Sequence, residues 1–90
     1  MRSDFLKEFT YTIKDSSGLH ARPAGMLVKK ASEFESQITV STELKSADAK
    51  KLFALMGLNI KCGQTISLKA EGKDEDVAIN ALSSFLNTIL

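Results

Sequence analysis

The segment Gly18-Leu19-His20-Ala21-Arg22-Pro23-Ala24 brings together residue types that suit phosphoryl chemistry. His20, the only histidine of the chain, stands where a glycine-containing turn gives way to a predicted helix. Imidazole loses its proton near neutral pH and is a good nucleophile toward a phosphoryl group. Arg22 adds a planar guanidinium that matches phosphate oxygens. The segment therefore predicts a site at which a phosphohistidine is formed and held.

The helix predicted to begin after His20 would supply further ligands for a phosphoryl group. Backbone N–H groups in the first turn of a helix have no intrahelical partner and attract anions. Pro23 has no N–H and is well tolerated in this turn. The predicted donors are therefore the N–H groups of Ala21, Arg22 and Ala24. The first two form the predicted phosphate-binding backbone.

The same residues indicate a phosphoryl carrier and not a self-sufficient enzyme. The chain contains neither a Ser-His-acid triad nor a Walker-type phosphate loop. A carrier must not lose its phosphate to water, and it must not hold it too tightly for transfer. An exposed ring with few stabilising groups suits both needs. We therefore predict a phosphorylated intermediate that needs no cofactor, with catalysis supplied by partner enzymes.

Length and charge narrow the class of protein. The 90 residues suffice for a single domain spanning 1–90 with one core, and we expect residues 1–5 to form a flexible extension. The net charge is +1, and no basic cluster lies among aromatic residues. This composition argues against nucleic-acid binding. No stretch approaches the roughly 18 apolar residues that a membrane helix needs.

The single cysteine, Cys62, excludes an internal disulfide and a cysteine-based metal site. This cysteine usage fits a reducing, cytoplasmic location. One histidine is also too few for a histidine cluster, so we predict no metal site. We interpret Cys62 as a bystander in a turn.

The hydrophobic pattern changes period along the chain and predicts seven elements. Strands are predicted at 8–14, 37–42, 47–50 and 65–70, and helices from Ala21, at 51–57 and from the region 74–76 to Ile89. The order is β-α-β-β-α-β-α, with one apolar face per strand and one apolar stripe per helix. Two layers meet these constraints most simply. We therefore predict an α+β fold in which helices cover one face of a four-stranded antiparallel sheet.

Apolar residues at helical spacing define the predicted buried faces of the two longer helices. They are Ala24, Leu27, Val28, Ala31 and Phe34 in or just after the first helix, and Ala78, Leu82, Phe85 and Ile89 in the last. A side chain from Asp74, Glu75 or Asp76 is predicted to cap the last helix.

The heptapeptide 18–24 resembles, almost letter for letter, the active-site signature of the HPr family, the phosphocarrier proteins of the bacterial phosphoenolpyruvate-dependent sugar phosphotransferase system. The similarity extends over residues 7–89 and includes Leu52-Phe53, Gly57-Leu58, Lys61-x-Gly63 and Asn80-Ala81-Leu82. The resemblance implies that His20 accepts phosphate from enzyme I on Nδ1 and donates it to sugar-specific EIIA proteins or domains, with Arg22 assisting. It also implies an open-faced β-sandwich, a monomer, and regulatory proteins as a further possible class of partner.

The docking surface of this family surrounds the histidine and includes the short second helix. In this chain the corresponding residues are Ala24, Gly25, Leu52, Phe53 and Met56. The two small residues would allow a partner to approach the ring closely. The short helix carries four large apolar side chains and cannot bury them all. We therefore expect Phe53 and Met56 to be exposed as an apolar contact patch.

Lys51 marks a departure from many relatives in low-GC Gram-positive bacteria, which carry a regulatory serine just before the short helix. Counting without gaps from His20 or Gly63 places Lys51 at the position of that serine. Ser46 lies five residues earlier, and we expect it at the start of the third strand. Lysine cannot accept the phosphate of an ATP-dependent kinase. We therefore predict that the chain has no regulatory serine at this position.

Two other interpretations of the chain make different predictions. A regulatory binding module of the same fold would control a transporter, kinase or transcription factor without relaying phosphate. The presence of both His20 and Arg22 favours the carrier, because such a module could lose His20 without penalty. An unrelated β-α-β sandwich that binds RNA or a small ligand is disfavoured, because the strands lack aromatic residues at repeated positions and no basic patch is present.

Overall fold

A computed structural model describes residues 6–90 of the chain. Its elements are β1 (Leu6–Thr12), α1 (Ala21–Ala31), β2 (Gln37–Ser41), β3 (Ser46–Asp48), α2 (Leu52–Met56), β4 (Thr65–Glu71) and α3 (Glu75–Ile89). This is the order predicted from the sequence. The extension predicted at residues 1–5 lies outside the described residues. Within residues 6–90, no helix combines the length and the apolar character needed to cross a membrane.

The four strands form one antiparallel sheet in the order β1-β4-β2-β3. At its centre Leu68 of β4 pairs with Phe9 of β1 on one side and with Val40 of β2 on the other. Leu68 and its same-face neighbours Ile66 and Ala70 are buried, as expected from the two-residue period of a strand. The helices cover this face: α3 packs on β1 and β4, and α1 contacts both α2 and α3. The predicted α+β architecture is confirmed.

The buried face of α3 is rotated slightly from the predicted one. Ala78 and Leu82 are fully buried as predicted, and the third fully buried position is Leu86. Ile89 is only partly buried against the core, and Phe85 is half-buried, with Nζ of Lys30 5.8 Å from the centroid of its ring. Spacing alone is compatible with a buried face that includes either Phe85 or Leu86, since the two residues are adjacent on the helix. Packing against the sheet selects Leu86, which continues the four-residue steps from Ala78 and Leu82.

Several element boundaries differ from the sequence prediction by one or two residues. The first strand ends at Thr12 and not at residue 14. Ile13 still bonds to the loop before β4, but the N–H of Lys14 turns away and donates to the carbonyl of Leu90 at 2.9 Å. Helix α2 begins at Leu52, with Lys51 as an extended N-cap residue. The other predicted elements lie within a few residues of the observed ones.

Asp74 starts α3 but does not cap it with its side chain. It is the N-cap residue, yet no side-chain capping bond forms. Its carboxylate instead accepts hydrogen bonds from the backbone N–H groups of Glu35 and Ser36, each at 2.9 Å, and from the Ser36 hydroxyl. Asp74 is therefore the N-cap residue, one of the three predicted, but the predicted side-chain capping bond is wrong. The carboxylate ties the start of α3 to the α1–β2 connection, because those donors would otherwise lack a partner.

This contact predicts a pH-dependent part of the stability. The Ser36 hydroxyl, followed by the Glu35 N–H, lowers the pKa of Asp74 from its ordinary value of 3.8. A lowered folded-state pKa means that the contact stabilises the fold above pH 3.8, and that this stability is lost as the pH falls through the folded pKa. We expect Asp74→Asn to lower the free energy of unfolding at pH 7. Urea unfolding at pH 7 and pH 3 should show the two proteins converging at the lower pH, and an undiminished difference at pH 3 would contradict the assignment.

Candidate phosphorylation site

His20 lies at the N-terminus of α1 with its ring in solvent. It is the N-cap residue, in extended conformation with φ −88° and ψ −173°, and its side chain makes no capping bond. The side chain is 45% accessible. The preceding residue, Leu19, is buried in the core, and this anchor holds the ring at the surface. The structure therefore places the imidazole where the sequence predicted it, at the tip of the first helix.

A tight turn against the α2–β4 connection fixes the position of this ring. Gly18 has φ +67°, a conformation that favours glycine. A Cβ at this position would lie 2.4 Å from the carbonyl oxygen of Ile60. The N–H of Leu19 donates to the same carbonyl at 3.0 Å. Only glycine allows this close approach, so the turn and the supporting loop together define where His20 begins the helix.

The first turn of α1 offers fewer backbone donors than predicted. The N–H of Ala24 bonds to the carbonyl of His20 at 3.0 Å, which is the first bond of the helix. Ala24 is therefore not available as a phosphate donor, and that expectation is wrong. The N–H groups of Ala21 and Arg22 precede this bond and have no partner within the helix. They remain the candidate phosphate-binding backbone.

Arg22 lies in the first turn of α1, two residues after the ring, and is exposed. In the part of the chain that the structure describes, its guanidinium takes part in no ion pair. Arginine matches the oxygens of a phosphoryl group through paired N–H donors. An arginine without a competing carboxylate can turn toward an anion on the neighbouring ring.

The sequence interpretation missed Asp15 as a neighbour of the ring. Its Oδ2 atom lies 3.9 Å from Nε2 of His20. From the sequence, the residues before His20 indicate only a glycine-containing turn, and this turn folds the carboxylate back toward the histidine. The signal was the acidic residue five positions before His20 with a glycine between them. Spacing of this kind does not determine where a side chain points.

The α2 patch, defined as Leu52, Phe53 and Met56, is exposed to different degrees. Phe53 is 85% and Met56 39% accessible, as predicted, whereas Leu52 is only partly buried against the core. Helix α2 packs beside α1, the helix that carries His20. Ala24 is fully buried, as its place in the predicted buried face of the first helix indicates, so its side chain offers a partner no surface. Gly25, next along α1, is partly accessible.

The residues relevant to serine regulation lie as the gap-free count predicted. Ser46 is the first residue of β3, and Lys51 is the exposed N-cap residue of α2. The absence of a regulatory serine at Lys51 stays a prediction.

Cys62 is exposed with a free thiol, and its Sγ lies 3.8 Å from the carbonyl oxygen of Lys14.

Known proteins agree with this geometry. Residues 7–88 match the family model described as the PTS HPr component phosphorylation site. The phosphocarrier protein HPr of Lysinibacillus sphaericus is 46% identical over 81 residues, which cover 90% of this chain and 92% of the relative. A crystal structure of HPr from Thermoanaerobacter tengcongensis superposes with a TM-score of 0.86 at 44% identity, covering 91% of this chain and 92% of the other. The chain therefore belongs to the HPr family, the phosphocarrier proteins of the phosphotransferase system.

Proposed function

We propose that the protein accepts a phosphoryl group from enzyme I on Nδ1 of His20 and passes it to sugar-specific EIIA proteins or domains. The observation that carries the proposal is the solvent-exposed imidazole at the N-terminus of α1. The ring is accessible to a large partner, and the unpaired first-turn N–H groups of Ala21 and Arg22 lie next to it along the chain. Membership of the HPr family supports the same conclusion.

The transfer needs little beyond a nucleophile and a site for negative charge. The Nδ1 lone pair forms a bond to phosphorus while the bond between phosphorus and the donor group of enzyme I breaks, and that electron pair stays with enzyme I. The first-turn N–H groups and the Arg22 guanidinium stabilise the phosphoryl oxygens. Donation to EIIA reverses these bond changes with a new acceptor.

The sparse surroundings of the ring suit a carrier. Within the described chain, Asp15 is the one charged side chain paired with His20. A site with few stabilising groups binds the phosphoryl group weakly enough to release it. We infer that catalytic groups come from the partner enzymes and that the protein acts in the cytoplasm without a cofactor or metal ion. We also propose a monomer as the acting form, although a dimer of HPr from Thermoanaerobacter tengcongensis has been solved.

We propose that partners dock on the α2 patch together with Gly25. Phe53 is a large apolar side chain that the fold leaves almost fully in water. Exposed aromatic side chains of this kind act as anchors in protein interfaces. The thioether of Met56 adapts to partners of different shape. Burial of this patch beside α1 would bring a partner's active site toward His20.

Phe53→Ala is expected to weaken binding of enzyme I without weakening the fold. Truncation of an interface anchor costs about 1–2 kcal/mol of binding free energy, or about 5- to 30-fold in Kd. A surface substitution changes stability by about 0.5 kcal/mol or less. Leu55→Ala is the matched control, because Leu55 is fully buried on the same helix and should cost about 2–5 kcal/mol of stability. Calorimetric titration measures the binding of enzyme I, and urea unfolding measures the stability. Unchanged binding by the Phe53→Ala variant would exclude Phe53 from the interface.

The proposed function is tested by phosphate transfer in a defined mixture. The purified protein is incubated with enzyme I and labelled phosphoenolpyruvate, and then with a purified EIIA protein. The label on the protein should be stable in base and lost in acid, as a phosphoramidate is, and it should move to EIIA. Failure to take up the label would overturn the carrier function. Uptake without onward transfer to any EIIA would favour a regulatory module.

A further inference from the structure

Asp15 presents its two carboxylate oxygens to different partners. Oδ1 accepts the N–H of Ser17 at 2.8 Å, and Oδ2 lies 3.9 Å from Nε2 of His20. The backbone is held as well: the N–H of Asp15 donates to the carbonyl of Leu90 at 2.8 Å, and its carbonyl accepts from Gly18 at 2.9 Å. The carboxylate is therefore fixed by the turn, and its second oxygen faces the ring.

We propose that Asp15 is a positioning residue for phosphoryl transfer, whose carboxylate holds the proton of His20 on Nε2 and so leaves the Nδ1 lone pair to attack phosphorus. A neutral imidazole carries its proton on either nitrogen, and the environment of one nitrogen decides the state of the other. An anion beside Nε2 stabilises the N–H there. The inference rests on the proposed function of His20, because it concerns which nitrogen reacts.

The same contact stabilises the phosphorylated ring. When Nδ1 bonds to phosphorus, Nε2 keeps its hydrogen and no proton leaves, so the ring becomes cationic while the donor retains the electron pair of the broken bond. The Asp15 carboxylate lies next to this developing positive charge. The cationic ring is also the better leaving group in the next transfer, because it departs as a neutral imidazole.

Repulsion between Asp15 and the phosphoryl group opposes this stabilisation only weakly. The phosphoryl group is attached across the ring from Nε2, so the two anions are farther apart than the carboxylate and the ring N–H. The side chains of His20 and Asp15 are 45% and 32% accessible. Water therefore screens the repulsion between the carboxylate and the phosphoryl group more effectively than the shorter attraction between the carboxylate and the ring N–H. The net effect of Asp15 is therefore favourable to transfer.

The test compares Asp15→Asn with the wild-type protein in two measurements. Ring ¹⁵N chemical shifts of His20, recorded on the neutral ring without any phosphate donor, report the ratio of Nε2–H to Nδ1–H forms. We expect the ratio to fall about two- to fivefold in the variant, which is the size of effect that a partly exposed charge pair produces. The initial rate of label uptake from enzyme I should fall by a similar factor. Asparagine keeps an oxygen for the Ser17 N–H, so the turn is retained.

Asp48→Asn is the matched control. The side chain of Asp48 accepts the backbone N–H of Lys50 at 2.9 Å, just as that of Asp15 accepts the N–H of Ser17. Asp48 is not paired with the ring of His20. Asp48→Asn should change neither the ratio of Nε2–H to Nδ1–H forms nor the rate of label uptake. Asp15→Glu should restore part of the ratio and part of the rate that Asp15→Asn loses. A ratio unchanged by Asp15→Asn overturns the inference. If the wild-type protein takes up no label, the proposed function fails, whereas the donor-free ratio still decides whether Asp15 positions the proton.

Discussion

Replacement of His20 by alanine is expected to abolish phosphate uptake from enzyme I. No other histidine exists in the chain, and imidazole is the side chain that offers phosphorus a free nitrogen lone pair near neutral pH. The fold should survive, because the ring is exposed and makes no capping bond. Its removal should change the free energy of unfolding by about 0.5 kcal/mol or less.

Label uptake and urea unfolding measured on the same preparation separate the two effects. Arg22→Ala serves as the comparison variant in the same assay: it should slow uptake without abolishing it, since the guanidinium stabilises charge but forms no bond to phosphorus. Acid-labile label on the His20→Ala protein would show that phosphate is carried elsewhere and would remove the basis of the proposed site.

Gly18→Ala is expected to have the largest effect on stability among substitutions near the site. The left-handed backbone costs an L-residue about 1–2 kcal/mol. In addition, the new Cβ would lie 2.4 Å from the carbonyl oxygen of Ile60 and 2.8 Å from Cα of Lys61. Both neighbours are backbone atoms and cannot rotate away, so the turn or the loop must move. We expect a total loss of about 2–5 kcal/mol in the free energy of unfolding.

Gly63→Ala measures the cost of a positive φ without a steric clash. Gly63 also has a positive φ, +90°, but a Cβ there would have no atom within 4 Å. This variant should lose only about 1–2 kcal/mol. Denaturant unfolding of both variants gives the comparison. Equal losses would mean that the contact with Ile60 is not what makes Gly18 necessary.

Local chemistry made much of this protein predictable from its sequence. The turn ending at Gly18 and the helix-compatible Pro23 placed His20 at a helix N-terminus, because both effects act within a few residues. The two-residue and 3.6-residue periods predicted the element order and the layered fold, since each element must bury one apolar face. The exposure of Phe53 followed from counting too many apolar side chains for one short helix.

The tertiary structure decided which atoms meet. The carboxylate of Asp15 reaches the ring of His20 because the turn folds back at Gly18, and that of Asp74 reaches Ser36 across 38 positions of the chain. Packing also selected Leu86 for the inner face of α3. Residue types and spacing determine which elements form and where the reactive group stands along the chain. Side-chain direction depends on all elements packed around it, so only the folded chain determines the partners of that group.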